Sequence, residues 1–206
     1  MRSAPPGHET AADGGRASVD VPGRHDLGPI VERFDEAVDL ALERLRGRPV
    51  LDRVFRTASH VGDFSLVWHT INVLMGIRHR RPRQVVTFAM LIGVESLVVN
   101  QGVKRLFRRP RPTVTGEDGL RVRQPTTSSF PSGHASAATF AAGLLARRAG
   151  WPLSIAIRTS AAVVGMSRAY VRIHHASDVA AGFITGAALL TGTRRLATRF
   201  GANRMI

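Results

Sequence analysis

From Val61 onward the chain consists of apolar runs separated by arginine, proline and polar segments. They lie at roughly Val61 to Ile77, Val85 to Val103, Ala135 to Leu145, Leu153 to Val171 and Val179 to Leu190. Each is hydrophobic nearly all round, the pattern of a helix buried in a large core or placed in a bilayer. Several fall short of the about 20 residues that a span needs. Polar residues interrupt them: Asp63, His69 and Asn72 in the first, Glu95 and Asn100 in the second, Arg158 in the fourth. In a spanning helix such residues face the bundle interior or snorkel, and Glu95 is expected to be a buried hydrogen-bonding partner. A chain of 206 residues has too little polar exterior to bury five such helices in water. The pattern predicts an all-α fold, a polytopic membrane helical bundle of about five core helices.

The segment ahead of the bundle reads differently. From Ile30 to about Leu45, the residues Ile30, Phe34, Val38, Ala41 and Leu45 fall on one stripe at helical spacing, flanked by Val31 and Leu42, with acids and arginines elsewhere. This predicts an N-terminal amphipathic helix lying on a protein or membrane surface. Residues 1–29 are rich in Gly, Pro and polar side chains and contain no apolar core of signal-peptide length. They are expected to form a disordered polar tail, leaving 30–206 as the helical-bundle domain.

Charge narrows the partners. The net charge is +14, carried almost wholly by arginine, with Lys104 the sole lysine. Such a balance suits nucleic acid, an anionic lipid surface or a phosphorylated substrate. Nucleic acid is disfavoured because the arginines are scattered at helix ends, with no basic recognition helix and no aromatic-interleaved patch. The absence of cysteine excludes disulfides and thiolate metal sites.

Three stretches carry the candidate chemistry. In "SSFPSGHASAATF", residues 128–140, Pro131 cannot lie inside a helix, Ser132 is a good N-cap and the apolar run starts at Ala135. His134 therefore falls in a first helical turn, where unpaired N–H groups and the positive end of the macrodipole favour an anion, and Gly133 allows close approach. "KRLFRRPRP", residues 104–112, places Lys104 and Arg111-Pro112 at the polar end of the second run. "SRAYVRIHHASD", residues 167–178, places Arg168, His174 and Asp178 between the fourth and fifth. In an up-and-down bundle these three places share one face. Cations, a helix N-terminus and two histidines thus converge on one pocket.

Lys104 with six residues then Arg111-Pro112, Pro131-Ser132-Gly133-His134, and Ser167-Arg168 with five residues then His174, three more and Asp178, resemble the three-part signature of the type 2 phosphatidic acid phosphatase superfamily. That superfamily includes integral-membrane lipid phosphatases, soluble bacterial acid phosphatases and vanadium haloperoxidases. The resemblance implies their helical-bundle fold and a residue-by-residue assignment of roles. Lys104, Arg111, Arg168, Ser132 and the amides at Gly133 and His134 would bind the phosphate oxygens. His174 would be the nucleophile that forms a phosphohistidine, with Asp178 holding its other ring nitrogen. His134 would protonate the departing oxygen and then activate water. The spacing to Asp178 selects His174 over His175. Arg108, Arg109, Arg121, Arg123 and Arg172 are expected either to line the headgroup region or to lie in solvated loops.

The resemblance implies no metal and no cofactor. It implies a membrane lipid phosphatase that hydrolyses a phosphate ester or diphosphate. A polyprenyl (undecaprenyl-type) diphosphate or phosphate ranks first as substrate, with phosphatidic acid or phosphatidylglycerol phosphate as the alternative. A vanadium haloperoxidase fits less well, since those resemble larger soluble proteins, and nothing favours a non-catalytic headgroup binder. Arginine-rich usage suggests a bacterial source, hence an integral protein of the plasma membrane. Short arginine-rich segments at 78–83 and 147–148 and in the C-terminal stretch lie opposite the site, which places the site outward.

Overall fold

The structure is a computed structural model describing residues 21–112 and 127–202. Helices α1 (Pro29–Glu43) and α2 (Pro49–Val61) precede five further helices: α3 (Leu66–Arg78), α4 (Pro82–Leu97), α5 (Gly133–Ala146), α6 (Trp151–Tyr170) and α7 (Ala176–Arg199). No strand occurs among the described residues. Proline opens α1, α2 and α4, where its missing N–H is no loss and its fixed φ suits the first turn.

Helix α5 is the central post. Ala135, Ser136, Ala138 and every residue from Phe140 to Ala146 are buried, because α3, α4, α6 and α7 surround it. Two glycines of α7 set how closely α7 approaches. A Cβ at Gly182 would strike the Ser132 carbonyl, and one at Gly186 would strike the Ser136 carbonyl. Bare backbone at these positions lets the two helices start side by side, so Ser132 N donates to Asp178 O at 2.9 Å. Since α6 runs antiparallel between them, its C-terminal end reaches the same face.

Helix α4 presents an apolar outer face. The stretch Pro82–Leu106 is long and apolar enough to cross a membrane, with a mean hydropathy of 1.5. Val86, Met90, Val94 and Leu97 form an exposed apolar stripe along it. Its end departs from the α-helical repeat in a π-turn, Val98–Gly102, and a 3₁₀ turn, Val103–Leu106. This change of helical repeat turns Lys104 inward, to burial, where the polar end of the second run would otherwise project into solvent.

The N-terminal region differs from the sequence expectation in three ways. Helix α1 buries Asp35 and Leu42, with Val31, Val38 and Leu45 half-buried, whereas Ile30 and Phe34 are exposed. The buried face therefore keeps Val38 and Leu45 of the expected stripe but turns toward the flanking Val31 and Leu42 and takes in Asp35, which a buried arginine described below engages. Helix α2 is a second amphipathic helix that the sequence reading left unassigned. It docks on α6 through Tyr170, whose ring stacks on Phe55 at 4.3 Å between centroids and whose hydroxyl donates to Asp52 Oδ1 at 2.6 Å. Of the expected polar tail, residues 1–20 lie outside the described residues. Residues 21–28 form turns held against the bundle, with the Pro22 and Gly23 carbonyls accepting from His175 and Arg109.

Candidate active site

The N-terminus of α5, the C-terminal end of α6, the α6–α7 connection, and α4 with the turn after it surround one cavity of about 670 Å³. The Ser132 side chain caps α5 by accepting from Ala135 N, which leaves the amides of the first turn facing the cavity. A Cβ on Gly133 would lie 3.1 Å from Asn100 Oδ1 and 3.7 Å from Lys104 Nζ. The ammonium therefore sits directly over the helix N-terminus, and any side chain at 133 would intrude between them.

Two arginines complete the cationic wall. Arg111 Nη1 donates to the Ile173 carbonyl at 2.7 Å and to His174 Nε2 at 3.1 Å, and Nη2 donates to Thr127 O at 3.2 Å. Arg168, on the last turn of α6, donates to both the carbonyl and the hydroxyl of Ser59 and lies 3.8 Å from Asp63. Lys104, Arg111 and Arg168 are all buried, and all line the cavity. Three buried cations converging on one cavity make a site suited to a polyvalent anion.

The two histidines enter from different elements, and each has its own acid. His134 Nε2 donates to Asp63 Oδ1 at 2.8 Å, across from the 3₁₀ turn that links α2 to α3. The hydrogen bond from His134 holds the Asp63 carboxyl below the usual range, so the acid stays ionised. His174, in the α6–α7 connection, is almost wholly buried. Burial pushes its imidazole down to about 3, against the opposing pull of Asp178. A neutral ring carries a lone pair on Nε2, where Arg111 donates, and a proton on Nδ1, which faces Asp178 Oδ2 at 3.6 Å. That distance is an electrostatic contact, longer than a hydrogen bond.

All eight residues expected from the sequence meet at this face: Lys104, Arg111, Ser132, Gly133, His134, Arg168 and His174 around the cavity or its cap, and Asp178 directly behind His174. His175 turns away, its Nε2 meeting Pro22 O at 3.1 Å. Arg172 leaves the headgroup region for Asp39 and Glu43 of α1. Arg108 is exposed, and Arg121 and Arg123 lie outside the described residues. Glu95 is buried and accepts from Ser136 Oγ at 2.5 Å. Arg109 corrects the expectation of a headgroup or loop residue: it is buried behind Asp178, on the side away from the cavity. Asp63 had no assigned role. Its one sequence signal was a lone acid, following glycine, near the start of an apolar run.

Comparison with known proteins places these features in context. The PAP2 superfamily matches residues 84–202. The chain is 33% identical over 158 residues to the decaprenylphosphoryl-5-phosphoribose phosphatase of Mycobacterium tuberculosis, an alignment covering 75% of this chain and 86% of that protein. It is 31% identical over 100 residues to the undecaprenyl-diphosphatase BcrC of Bacillus subtilis, covering 47% and 50%. Among solved structures, the fold is similar to a transmembrane PAP2 type phosphatidylglycerolphosphate phosphatase from Bacillus subtilis. The TM-score is 0.66 at 23% identity, over 86% of this chain and 91% of that one.

Proposed function

Because the chain belongs to the PAP2 superfamily and is a lipid phosphatase of that type, we propose that it hydrolyses a polyprenyl-linked phosphate or diphosphate through a phosphohistidine at His174. One observation carries the chemistry: two histidines border the same cationic cavity, one neutral with its Nε2 lone pair held by Arg111, the other backed at 2.8 Å by an ionised carboxylate. Lys104, Arg111, Arg168 and the α5 amides hold the non-bridging oxygens of the phosphate. Arg111 then exchanges its contact with His174 Nε2 for the phosphate, releasing the lone pair to attack phosphorus. As the N–P bond forms, the P–O bond to the leaving group breaks and His134 gives that oxygen a proton from Nδ1, since Asp63 occupies Nε2. Asp178 stabilises the positive charge that builds on the His174 ring. Water then attacks the phosphohistidine with His134 as base, which returns both histidines to their starting states.

The substrate reading is supported by the two curated relatives, whose names specify a decaprenylphosphoryl and an undecaprenyl substrate, and by the apolar helix that walls the cavity. Purified protein assayed on a panel of polyprenyl diphosphate, polyprenyl-phosphoryl phosphoribose, phosphatidic acid and phosphatidylglycerol phosphate is expected to release phosphate fastest from the polyprenyl members. A preference for either glycerolipid would overturn the assignment. Three side-chain cations stand where metal-dependent phosphatases place their ions, so the same activity is expected to persist in EDTA. Loss on chelation with recovery in magnesium is the contrary result.

The proposed location is a bacterial plasma membrane with the site on the outer face. Exposed Arg78, Arg80, Arg81, Arg83 and Arg147 lie at the helix ends opposite the cavity, and short basic segments are retained in the cytoplasm. A periplasm-active reporter is expected to work after Gly119 and a cytoplasm-active one after Ile206; the reverse pattern would place the site inside.

A further inference from the structure

Behind the His174–Asp178 pair, on the side away from the cavity, lies a second layer of buried charge that the mechanism above does not use. Arg109 is 3% exposed and every guanidinium nitrogen is engaged. Nη1 donates to Asp178 Oδ1 and to Ser177 Oγ, both at 2.7 Å, Nη2 donates to Asp35 Oδ2 at 2.7 Å, and Nε donates to Gly23 O at 2.8 Å. Asp35, on α1, is 4% exposed. Its Oδ1 accepts from Ser177 N at 2.7 Å and its Oδ2 from Ser177 Oγ at 2.8 Å. One amphipathic helix thus reaches across the fold to hold the first turn of another, at the residue beside the catalytic aspartate.

The orientation of Asp178 follows from these contacts. One carboxylate oxygen is fixed by Arg109, and the other accepts from His175 N at 2.9 Å while facing His174 Nδ1 at 3.6 Å. Without Arg109 the carboxylate would hold one anchor and could turn about its terminal torsion, carrying Oδ2 away from the ring. The charge count matters as much. Arg109 alone would neutralise Asp178 and cancel the negative field that favours a positive ring on His174. Asp35 restores it, so the triad Asp35–Arg109–Asp178 carries one net negative charge beside the nucleophile. A buried ion set of this kind is weak evidence for stability, because its desolvation offsets its attraction. Its geometry is better explained by what it orients.

We propose that Arg109 and Asp35 are positioning residues for phosphoryl transfer: Arg109 sets the direction of the Asp178 carboxylate toward His174, and Asp35 of α1 keeps that carboxylate effectively negative. The proposal rests on the phosphohistidine reading above. It also gives α1 a function, since the helix that bears Asp35 then completes the nucleophile's support from outside the bundle.

The test uses the full chain in detergent with p-nitrophenyl phosphate, which depends on no particular lipid. Phosphoenzyme formation is followed by rapid quench with a labelled phosphate donor, and occupancy of the cradle by competitive inhibition with inorganic phosphate. Arg109→Lys keeps the charge but loses the fork, and Asp35→Asn keeps the shape but loses the charge. Both are expected to slow phosphoenzyme formation and kcat by about 10- to 100-fold, the range found when an outer partner of a functional histidine is removed. KM and the inhibition constant of phosphate should stay within about threefold of the parent. Parent-like phosphoenzyme formation in both variants would overturn the proposal. So would a joint loss of turnover, phosphate binding and thermal stability, which marks a purely structural role. If the unaltered protein forms no phosphoenzyme, the reading on which the proposal rests has failed instead.

Discussion

His174→Ala is expected to abolish the covalent intermediate and to lower turnover by about 10⁴-fold or more, the scale on which loss of a nucleophile is felt when the rest of a site remains. The ring sits where it can act alone. It is neutral, and its Nε2 lone pair is presented beside Arg111 at the cavity wall. His175 is adjacent in sequence, yet its imidazole points to Pro22 on the opposite side of the connection. With labelled donor and rapid quench, the parent and His175→Ala should both retain label on the protein, and His174→Ala should retain none. Binding of inorganic phosphate should survive in His174→Ala, because Lys104, Arg168 and the α5 amides are untouched and Arg111 loses only a competing acceptor. Label persisting after His174→Ala would move the nucleophile elsewhere.

The parts of this site that sequence made legible are those set by local spacing. Pro131, Ser132 and the apolar run after His134 define a helix start, and a helix start defines an anion cradle, so that element could be read without knowing its neighbours. The i, i+4 interval from His174 to Asp178 likewise placed both at the head of α7. What stayed hidden depends on long-range pairing. Arg108 and Arg109 are identical side chains in adjacent positions, and only the turn after α4 sends one outward and the other to burial. Asp35 sat on the polar side of the expected stripe, and its partner Arg109 is 74 residues away. An acid on an amphipathic helix reads as solvated unless the buried cation opposite is known, which is why the stripe was rotated in the expectation. Helix α2 escapes the pattern for a related reason: Asp52, Arg53 and Arg56 break its sequence into short apolar pieces, and Tyr170 of α6 supplies part of the docking surface.

The second large effect concerns the leaving group and the pair Asp63–His134. Burial above all, with the nearby Arg168 and the positive end of the α5 dipole, disfavours a protonated His134, which is the form a proton donor needs. Asp63 at 2.8 Å supplies the opposing charge and, by engaging Nε2, reserves Nδ1 for the substrate oxygen. His134→Ala is therefore expected to reduce turnover of an alkyl phosphate by about 10²- to 10⁴-fold, the usual contribution of a positioned acid. It should have far less effect on the phosphorylation step with p-nitrophenyl phosphate, whose phenolate departs without a proton. Asp63→Asn should show the same selectivity with a smaller loss. Its pH dependence has a defined sign. The carboxylate stabilises the charged imidazole, so its removal lets His134 deprotonate at lower pH, and the alkaline limb of the kcat profile should move downward. The coupling is mutual, as the depressed Asp63 carboxyl indicates, so the acid remains ionised throughout the working range and the shift cannot arise from Asp63 titrating there. Rate profiles for both esters, measured on the parent and on Asp63→Asn, separate the possibilities. Equal losses on both esters, or an alkaline limb that stays in place, would remove His134 from the role of acid and leave Asp63 as a partner of Arg168 alone.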